Sequence, residues 1–148
     1  MNAIDMIKSG LAGMEMGQPG KLADILSDDM VFAGPVPEPV GKHEFIGLQT
    51  ALVKAMPDWK FNATDFKLNG EQVTATFQIT GTQTGELSLP MPGFPKFPAS
   101  GKHVSLPKES ITISLKNGKV SRLEAAKVPG GGVAGVLTQL GIPLPQMA

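Results

Sequence analysis

The sequence contains no cysteine and no tyrosine, and it has only two histidines in 148 residues. The absence of cysteine excludes disulfides, thiolate metal ligands and a cysteine nucleophile. His43 and His103 stand far apart, so the sequence indicates no metal site, and no cofactor is expected. No Ser-His-Asp order and no phosphate-binding loop is present, which argues against most hydrolases and nucleotide-dependent enzymes.

An excess of one charge and long apolar runs are also missing. Thirteen basic residues balance thirteen acidic ones, and neither sign is clustered. Nucleic acids and anionic membranes are bound by basic surfaces, so neither is an expected partner. No apolar run approaches the ~18 residues of a membrane span. The apolar N-terminus is interrupted by Asp5, Lys8 and Glu15, which favours a helix over a signal peptide. We therefore expect a soluble, cytoplasmic protein.

Glycine and proline, by contrast, are abundant. The 18 glycines and 13 prolines gather at 34–41, 90–101 and 129–145, which indicates three long connections. A chain of this length is expected to form a single domain over residues 1–148. Within it, residues 128–148 are predicted to form a glycine hinge followed by a short helix.

Apolar residues at helical spacing predict helices over 3–16 and 42–56. Between them, Pro19 suits the first turn of a short helix whose buried side includes Ile25 and Leu26. A brief strand, "MVFAGP", follows this helix and ends at the glycine and prolines of "GPVPEPVG".

From residue 58 onward the apolar period changes to two. In "EQVTATFQITG", apolar and polar residues alternate, which is typical of a strand with one buried face. The Asn-Gly pairs at 69–70 and 117–118 predict turns, so residues 58–80 form one hairpin and residues 103–127 another. Helices followed by such a sheet predict an α+β fold.

The order of these elements, with "LSDDMVFAGP", "PDWKFNATDFKLNGEQVTATFQITGTQTGEL" and "NGKV" in their places, resembles the nuclear transport factor 2-like superfamily. The similarity is closest to its SnoaL-like polyketide cyclase and ester cyclase branch, and it covers residues 20–128. It implies an NTF2-like (cystatin-like) conical half-barrel, with N-terminal helices packed on a curved antiparallel sheet around an apolar cavity, commonly in a homodimer. Members include cyclases, isomerases, epoxide hydrolases and proteins that only bind, so the fold alone does not fix the function.

The sequence departs from the superfamily at its catalytic positions. In the isomerases, a carboxylate base precedes the proline that closes the first strand, and Gly34 corresponds to it. The second acidic donor of the isomerases and the aspartate of the cyclases correspond to Ile111 and Ala125. The histidine of the cyclase turn "GTHTG" corresponds to Gln83, and the oxyanion tyrosine has no counterpart. The resemblance therefore implies that any chemistry must use other residues.

Strand alternation identifies one candidate acid. It places Glu109 on the same face as Ile111 and Ile113. On an apolar concave face, desolvation would raise the pKa of this carboxyl, which is how a general acid or base is tuned. Glu109 is therefore the candidate catalytic residue. The alternative is that it lies at the solvated mouth or pairs with a lysine such as Lys108.

The last strand allows two registers. The resemblance places Leu123, Ala125 and Lys127 toward the cavity, with Arg122 and Glu124 on the convex face. A slip of one residue would reverse the faces and make Glu124 the leading acid. With the first register, the cavity-facing positions of the strands and the apolar side chains of the loop give the predicted ligand-binding residues. They are Trp59, Phe77, Ile79, Gln83, Met91, Phe94, Phe97, Ile111, Ile113, Leu123, Ala125 and Lys127.

The loop in "GTQTGELSLPMPGFPKFPASGK" carries large apolar side chains, which are unusual in a loop that is exposed to water. It either covers something apolar or is itself covered. We predict that residues 88–100 and the tail helix, 133–140, flank or cap the cavity mouth. The alternative is that the loop packs across a dimer interface.

Two functions are consistent with these patterns. The first is acid-base chemistry of the cyclase or isomerase type on a small, apolar, carbonyl-bearing molecule, with Glu109 as the acid or base. The second is a non-catalytic module that binds a ligand or dimerises. Both predict a small apolar ligand as the partner.

Overall fold

The computed structural model describes residues 2–34, 39–89, 96–126 and 128–142. These residues form four helices, which are α1 (Ala3–Glu15), α2 (Pro19–Ala23), α3 (Lys42–Ala55) and α4 (Gly132–Gln139). They also form eight strands, which are β1 (Leu26–Ala33), β2 (Val40–Gly41), β3 (Thr64–Asn69), β4 (Gln72–Phe77), β5 (Thr80–Thr82), β6 (His103–Ser105), β7 (Glu109–Lys116) and β8 (Lys119–Ala125). Within the described ranges, no helix is both long enough and apolar enough to cross a membrane.

Six strands form the main sheet in the order β2-β1-β8-β7-β4-β3, while β5 and β6 pair separately. The predicted α+β half-barrel is confirmed, with one difference. The sheet is mixed, because β1 runs parallel to β8 whereas the other neighbours are antiparallel. Most of the chain separates β1 from β8, so no tight turn imposes an antiparallel pairing on them.

The helices pack on the sheet through the apolar stripes that the spacing predicted. The side chain of Asn2 caps α1 by accepting a hydrogen bond from the N–H of Asp5 at 2.8 Å. Leu11 of α1 and Leu52 of α3 are both buried in the core. Burial of such a stripe supplies most of the stability of short helices.

The boundary of the second helix differs from the prediction. Helix α2 ends at Ala23, and Leu26 begins β1, where it pairs with Val120 of β8. The N–H of Val120 also donates to the carbonyl of Ile25 at 2.8 Å. Sheet pairing therefore determines the conformation of a segment whose apolar spacing also suits a helix.

The last strand has the first of the two predicted registers, in which the side chain of Ala125 faces the cavity. Leu123 and Ala125 are buried, whereas Glu124 is exposed and pairs with Arg122 at 2.9 Å. The alternative register, with Glu124 as the leading acid, is therefore wrong. At the turn before this strand, Asn117 and Gly118 both have positive φ, as a type I′ turn requires.

Candidate functional site

A cavity of about 80 Å³ lies between the helices and the sheet. Glu109 lines it, together with six of the predicted ligand-binding residues, which are Trp59, Phe77, Ile79, Ile111, Leu123 and Ala125. The lining also includes side chains that the sequence analysis did not assign to the site, among them Phe32, Phe45, Gln49, Phe61 and Leu106. Apart from Gln49, Trp59 and Glu109, the described lining has no polar side chain.

The other predicted ligand-binding residues do not belong to the described lining. Ile113 is buried in the core, and Phe97 is partly buried and packs against the core. Met91, Phe94 and Lys127 lie outside the described residues.

Gln83 is buried, and its side chain is used within the protein. Its Nε2 donates to the carbonyls of Gly85 and Pro98, both at 3.2 Å, and its Oε1 accepts from the hydroxyl of Ser100 at 2.7 Å. Its backbone N–H donates to the carbonyl of Lys102 at 2.9 Å. Gln83 therefore ties the two sides of the apolar loop together below its tip.

Glu109 begins β7 opposite Phe77 of β4. The side chain is buried, with 3% of the residue exposed. No ion pair with a lysine or arginine is found for it in the described part of the chain. Desolvation raises the pKa of this carboxyl above its ordinary value of 4.5. The alternative of a solvated or lysine-paired Glu109 does not fit this geometry.

The carboxyl of Glu109 also contacts the first turn of α4. The backbone N–H of Gly132 donates a hydrogen bond to it, which opposes the rise in pKa to a smaller extent. No side chain caps this helix locally, since its N-cap residue is Gly131. A Cβ on Gly131 would lie 3.0 Å from Oε1 of Glu109, so glycine permits the close approach of the carboxyl.

Helix α4 covers one end of the cavity, where Gly132 and Val136 contribute to the lining. Two hydrogen bonds fix its far end to the edge of β6. The N–H of Ser105 donates to Oε1 of Gln139, and Nε2 of Gln139 donates to the carbonyl of Ser105, both at 2.8 Å. Leu137 and Leu140 are buried beneath the helix.

Gln49 is the polar lining residue that the sequence analysis missed. It lies on α3, four residues after Phe45 and three before Leu52, both of which line the cavity. A polar residue inside an apolar helical stripe was the signal that could have identified it.

The position of the missing isomerase base is occupied by tightly packed backbone. Gly34 has a φ of +122°, and a Cβ there would overlap the carbonyl oxygen of Ala125. Only glycine fits both constraints. In the described part of the chain, no group of three His, Cys, Asp or Glu side chains could hold a metal ion.

The comparisons with known proteins agree with this architecture. A family model described as a SnoaL-like domain matches residues 9–123. Among solved structures, a protein named as a SnoaL-like polyketide cyclase from Jannaschia sp. CCS1 superimposes with a TM-score of 0.71 at 16% identity, covering 96% of this chain and 93% of that chain. AclR from Streptomyces galilaeus gives a TM-score of 0.72 at 19% identity, covering 97% of each chain.

An NTF2-like protein from Cytophaga hutchinsonii gives a TM-score of 0.61 at 14% identity, covering 87% of this chain and 92% of that one. At these identities the structural likeness shows the fold alone. No curated protein matches the sequence. Because the family model spans most of the chain, the protein belongs to the SnoaL-like domain family.

Proposed function

We propose that the protein binds a small apolar molecule with a carbonyl group in this cavity, and that Glu109 is the acid-base group that acts on it. The observation that carries the proposal is the placement of Glu109 in a wall whose other described side chains, apart from Gln49 and Trp59, are apolar, with no cationic partner among the described residues. Burial in such a wall moves the pKa of the carboxyl toward the range in which it exchanges protons near neutral pH.

In the proposed step, the ionised carboxyl of Glu109 removes a proton from the carbon next to the carbonyl. The electron pair of the broken C–H bond forms an enolate, and the proton stays on the carboxyl. Return of that proton to the same carbon or to another one regenerates the ionised group. These steps require neither an oxidant nor a reductant. Cyclase and isomerase reactions have such a proton transfer in common.

The size of the cavity limits what can bind while α4 is in place. Its volume of about 80 Å³ is smaller than the roughly 150 Å³ of an apolar cavity that holds benzene. A ligand of a few non-hydrogen atoms fits the closed form. A larger ligand requires α4 to move, and we propose that this helix acts as a lid.

Deleting residues 130–148 distinguishes a lid from a dimer element. A lid predicts a folded truncated protein whose cavity binds an apolar fluorescent dye better than the full chain does. If the full chain is a homodimer and the truncated protein is a monomer by light scattering, the segment is an interface element instead. Circular dichroism of both proteins provides the control for folding.

A second candidate function is binding without chemistry. It is favoured by the residues at the superfamily's catalytic positions, since Gly34, Ile111 and Ala125 carry no group that transfers protons. In this case the cavity holds or carries its ligand, and Glu109 serves only to cap α4.

Exchange of hydrogen for deuterium tests the proposal. The protein is incubated with butan-2-one in heavy water, and proton NMR follows loss of the signals next to the carbonyl. We expect exchange faster than in buffer, with a decrease of at least about a hundredfold in Glu109→Gln. Glu124→Gln is the matched control, because Glu124 is exposed on the opposite face of the sheet.

The outcomes separate the two functions. Unchanged exchange in Glu109→Gln would contradict the role of this residue. Exchange at the buffer rate in the wild-type protein, with saturable binding of butan-2-one, would support binding without chemistry. Absence of saturable binding up to the solubility limit would overturn both.

A further inference from the structure

Two buried polar atoms, each on a side chain that lines the cavity, have no hydrogen-bond partner among the described residues. They are Nε1 of Trp59 and Oε1 of Gln49. Trp59 is 2% exposed and Gln49 is 9% exposed, so neither atom is solvated from outside the protein. Both side chains line the same cavity.

Such atoms are rare in folded proteins, because leaving a donor or acceptor buried without a partner destabilises the protein. Gln49 stands in an apolar stripe of α3, where a methionine would fill similar space. Two polar groups without a partner among the described residues, on side chains that line one cavity, therefore indicate that a ligand inside the cavity pairs with them.

The two atoms offer opposite hydrogen-bonding functions. The indole N–H of Trp59 is a donor only, and Oε1 of Gln49 is an acceptor. The indole is held firmly, since the backbone N–H of Trp59 donates to the carbonyl of Met56 at 2.9 Å and its ring meets that of Phe61 edge to face at 6.0 Å. A donor and an acceptor on side chains that line one cavity select a ligand that carries the complementary pair.

We propose that the cavity recognises a small hydroxy-ketone, whose carbonyl oxygen accepts from the indole N–H of Trp59 and whose hydroxyl donates to Oε1 of Gln49. This inference rests on the proposed function, because it assigns the ligand class of the same cavity. It also gives the negative oxygen of an enolate a hydrogen-bond donor, in a protein that lacks the oxyanion tyrosine. Apart from Glu109, the remaining described lining is apolar and suits the hydrocarbon part.

The indole signal provides a direct test, because Trp59 is the only tryptophan of the chain. In the proton–nitrogen correlation spectrum of labelled protein it gives a single indole resonance. We expect titration with butan-2-one to move this resonance downfield in a saturable manner, as a new hydrogen bond to a carbonyl oxygen requires.

The hydroxyl is tested by comparing 3-hydroxybutan-2-one with butan-2-one, which differ by that group alone. The ratio of their dissociation constants is measured for the wild-type protein and for Gln49→Met, which keeps the length of the side chain but removes its carbonyl. We expect the preference for the hydroxy-ketone to be about tenfold greater in the wild-type protein. Gln72→Met is the matched control, because Gln72 is exposed on β4.

Each outcome bears on a separate claim. If butan-2-one binds but the indole resonance does not move, and the two ligands show the same ratio in wild-type protein and Gln49→Met, the hydroxy-ketone assignment is overturned. That result indicates that water satisfies both atoms, and it leaves the proposed binding of a carbonyl compound intact. If neither compound shows saturable binding, the assignment and the proposed function fall together.

Discussion

The carboxyl of Glu109 accepts a hydrogen bond from the backbone N–H of Gly132, at the first turn of the helix that covers the cavity. A single side chain thus contributes both to the wall of the cavity and to the attachment of α4. The partial positive charge of a helix N-terminus favours the ionised carboxyl, whereas burial favours the neutral one. Burial has the larger effect on the pKa.

The first prediction follows from this balance. Because the pKa of Glu109 is raised in the folded protein, its contribution to stability is fully present below the ordinary value of 4.5 and is lost as the pH rises through the folded-state value. Glu109→Gln removes the titrating charge, so we expect it to unfold at a higher temperature than the wild-type protein at pH 8 and at the same temperature at pH 4.

Thermal unfolding followed by circular dichroism over this pH range provides the measurement, with Glu124→Gln as the exposed control. A lower melting temperature of Glu109→Gln at pH 8 would be the contrary result. It would mean that the hydrogen bond from Gly132 to the ionised carboxyl outweighs the desolvation.

The second prediction concerns the attachment of α4 at Ser105. Gln139→Ala removes both hydrogen bonds between the helix and β6, which we expect to lower stability by about 1–2 kcal/mol. Loosening the helix gives acrylamide access to Trp59, so quenching of its fluorescence increases. Thr138→Ala is the control, because Thr138 is exposed and its hydroxyl donates to the carbonyl of Ala134 within α4, with no other partner in the described ranges. Equal quenching in both variants would count against α4 as the cover of the cavity.

The third prediction concerns Gln83. Gln83→Met removes three partly buried side-chain hydrogen bonds, so we expect a loss of about 3 kcal/mol in the free energy of unfolding by urea. Ser100→Ala removes the bond to Oε1 and should cause a smaller loss, of about 1 kcal/mol. We also expect the ratio of affinities for the two ketones to be unchanged in Gln83→Met. A changed ratio would place Gln83 among the ligand-binding residues after all.

The fourth prediction concerns the position of the missing base. Gly34→Asp would restore the carboxylate that the isomerases have there, but the positive φ and the nearby carbonyl of Ala125 exclude a side chain. We expect Gly34→Asp and Gly34→Ala to lose about 3 kcal/mol or more of stability. Gly20→Ala is the control, since a Cβ at Gly20 meets no atom within 4 Å. Stability of Gly34→Ala equal to that of the wild-type protein would show that the backbone can relax.

Local patterns were sufficient to predict much of the fold. The alternation of β7 placed Glu109 on the buried face with Ile111, and the resemblance placed Leu123 and Ala125 inward on β8. The assignment of Glu109 succeeded because side chains alternate between the two faces along a strand. Alternation left two registers open for β8, and the resemblance selected the one that is observed. Apolar spacing gave the wrong result at Leu26, because it suited a helix, whereas pairing with Val120 places Leu26 in a strand.

By itself, the sequence determined the α+β class, the main helices, the two Asn-Gly turns and the buried face of Glu109, since each depends on short-range periodicity or on turn residues. The predicted hairpin over 103–127 was longer than the observed one, because β6 pairs with β5 and only β7 and β8 flank the second turn. Only the tertiary structure decided that β1 lies parallel to β8 and that α4 meets the carboxyl of Glu109. It also decided that Gln49 and Trp59, which line one cavity, each have a polar atom without a partner among the described residues. These relationships join elements distant in the chain, and they follow from how helices and sheet pack together, which no local pattern contains.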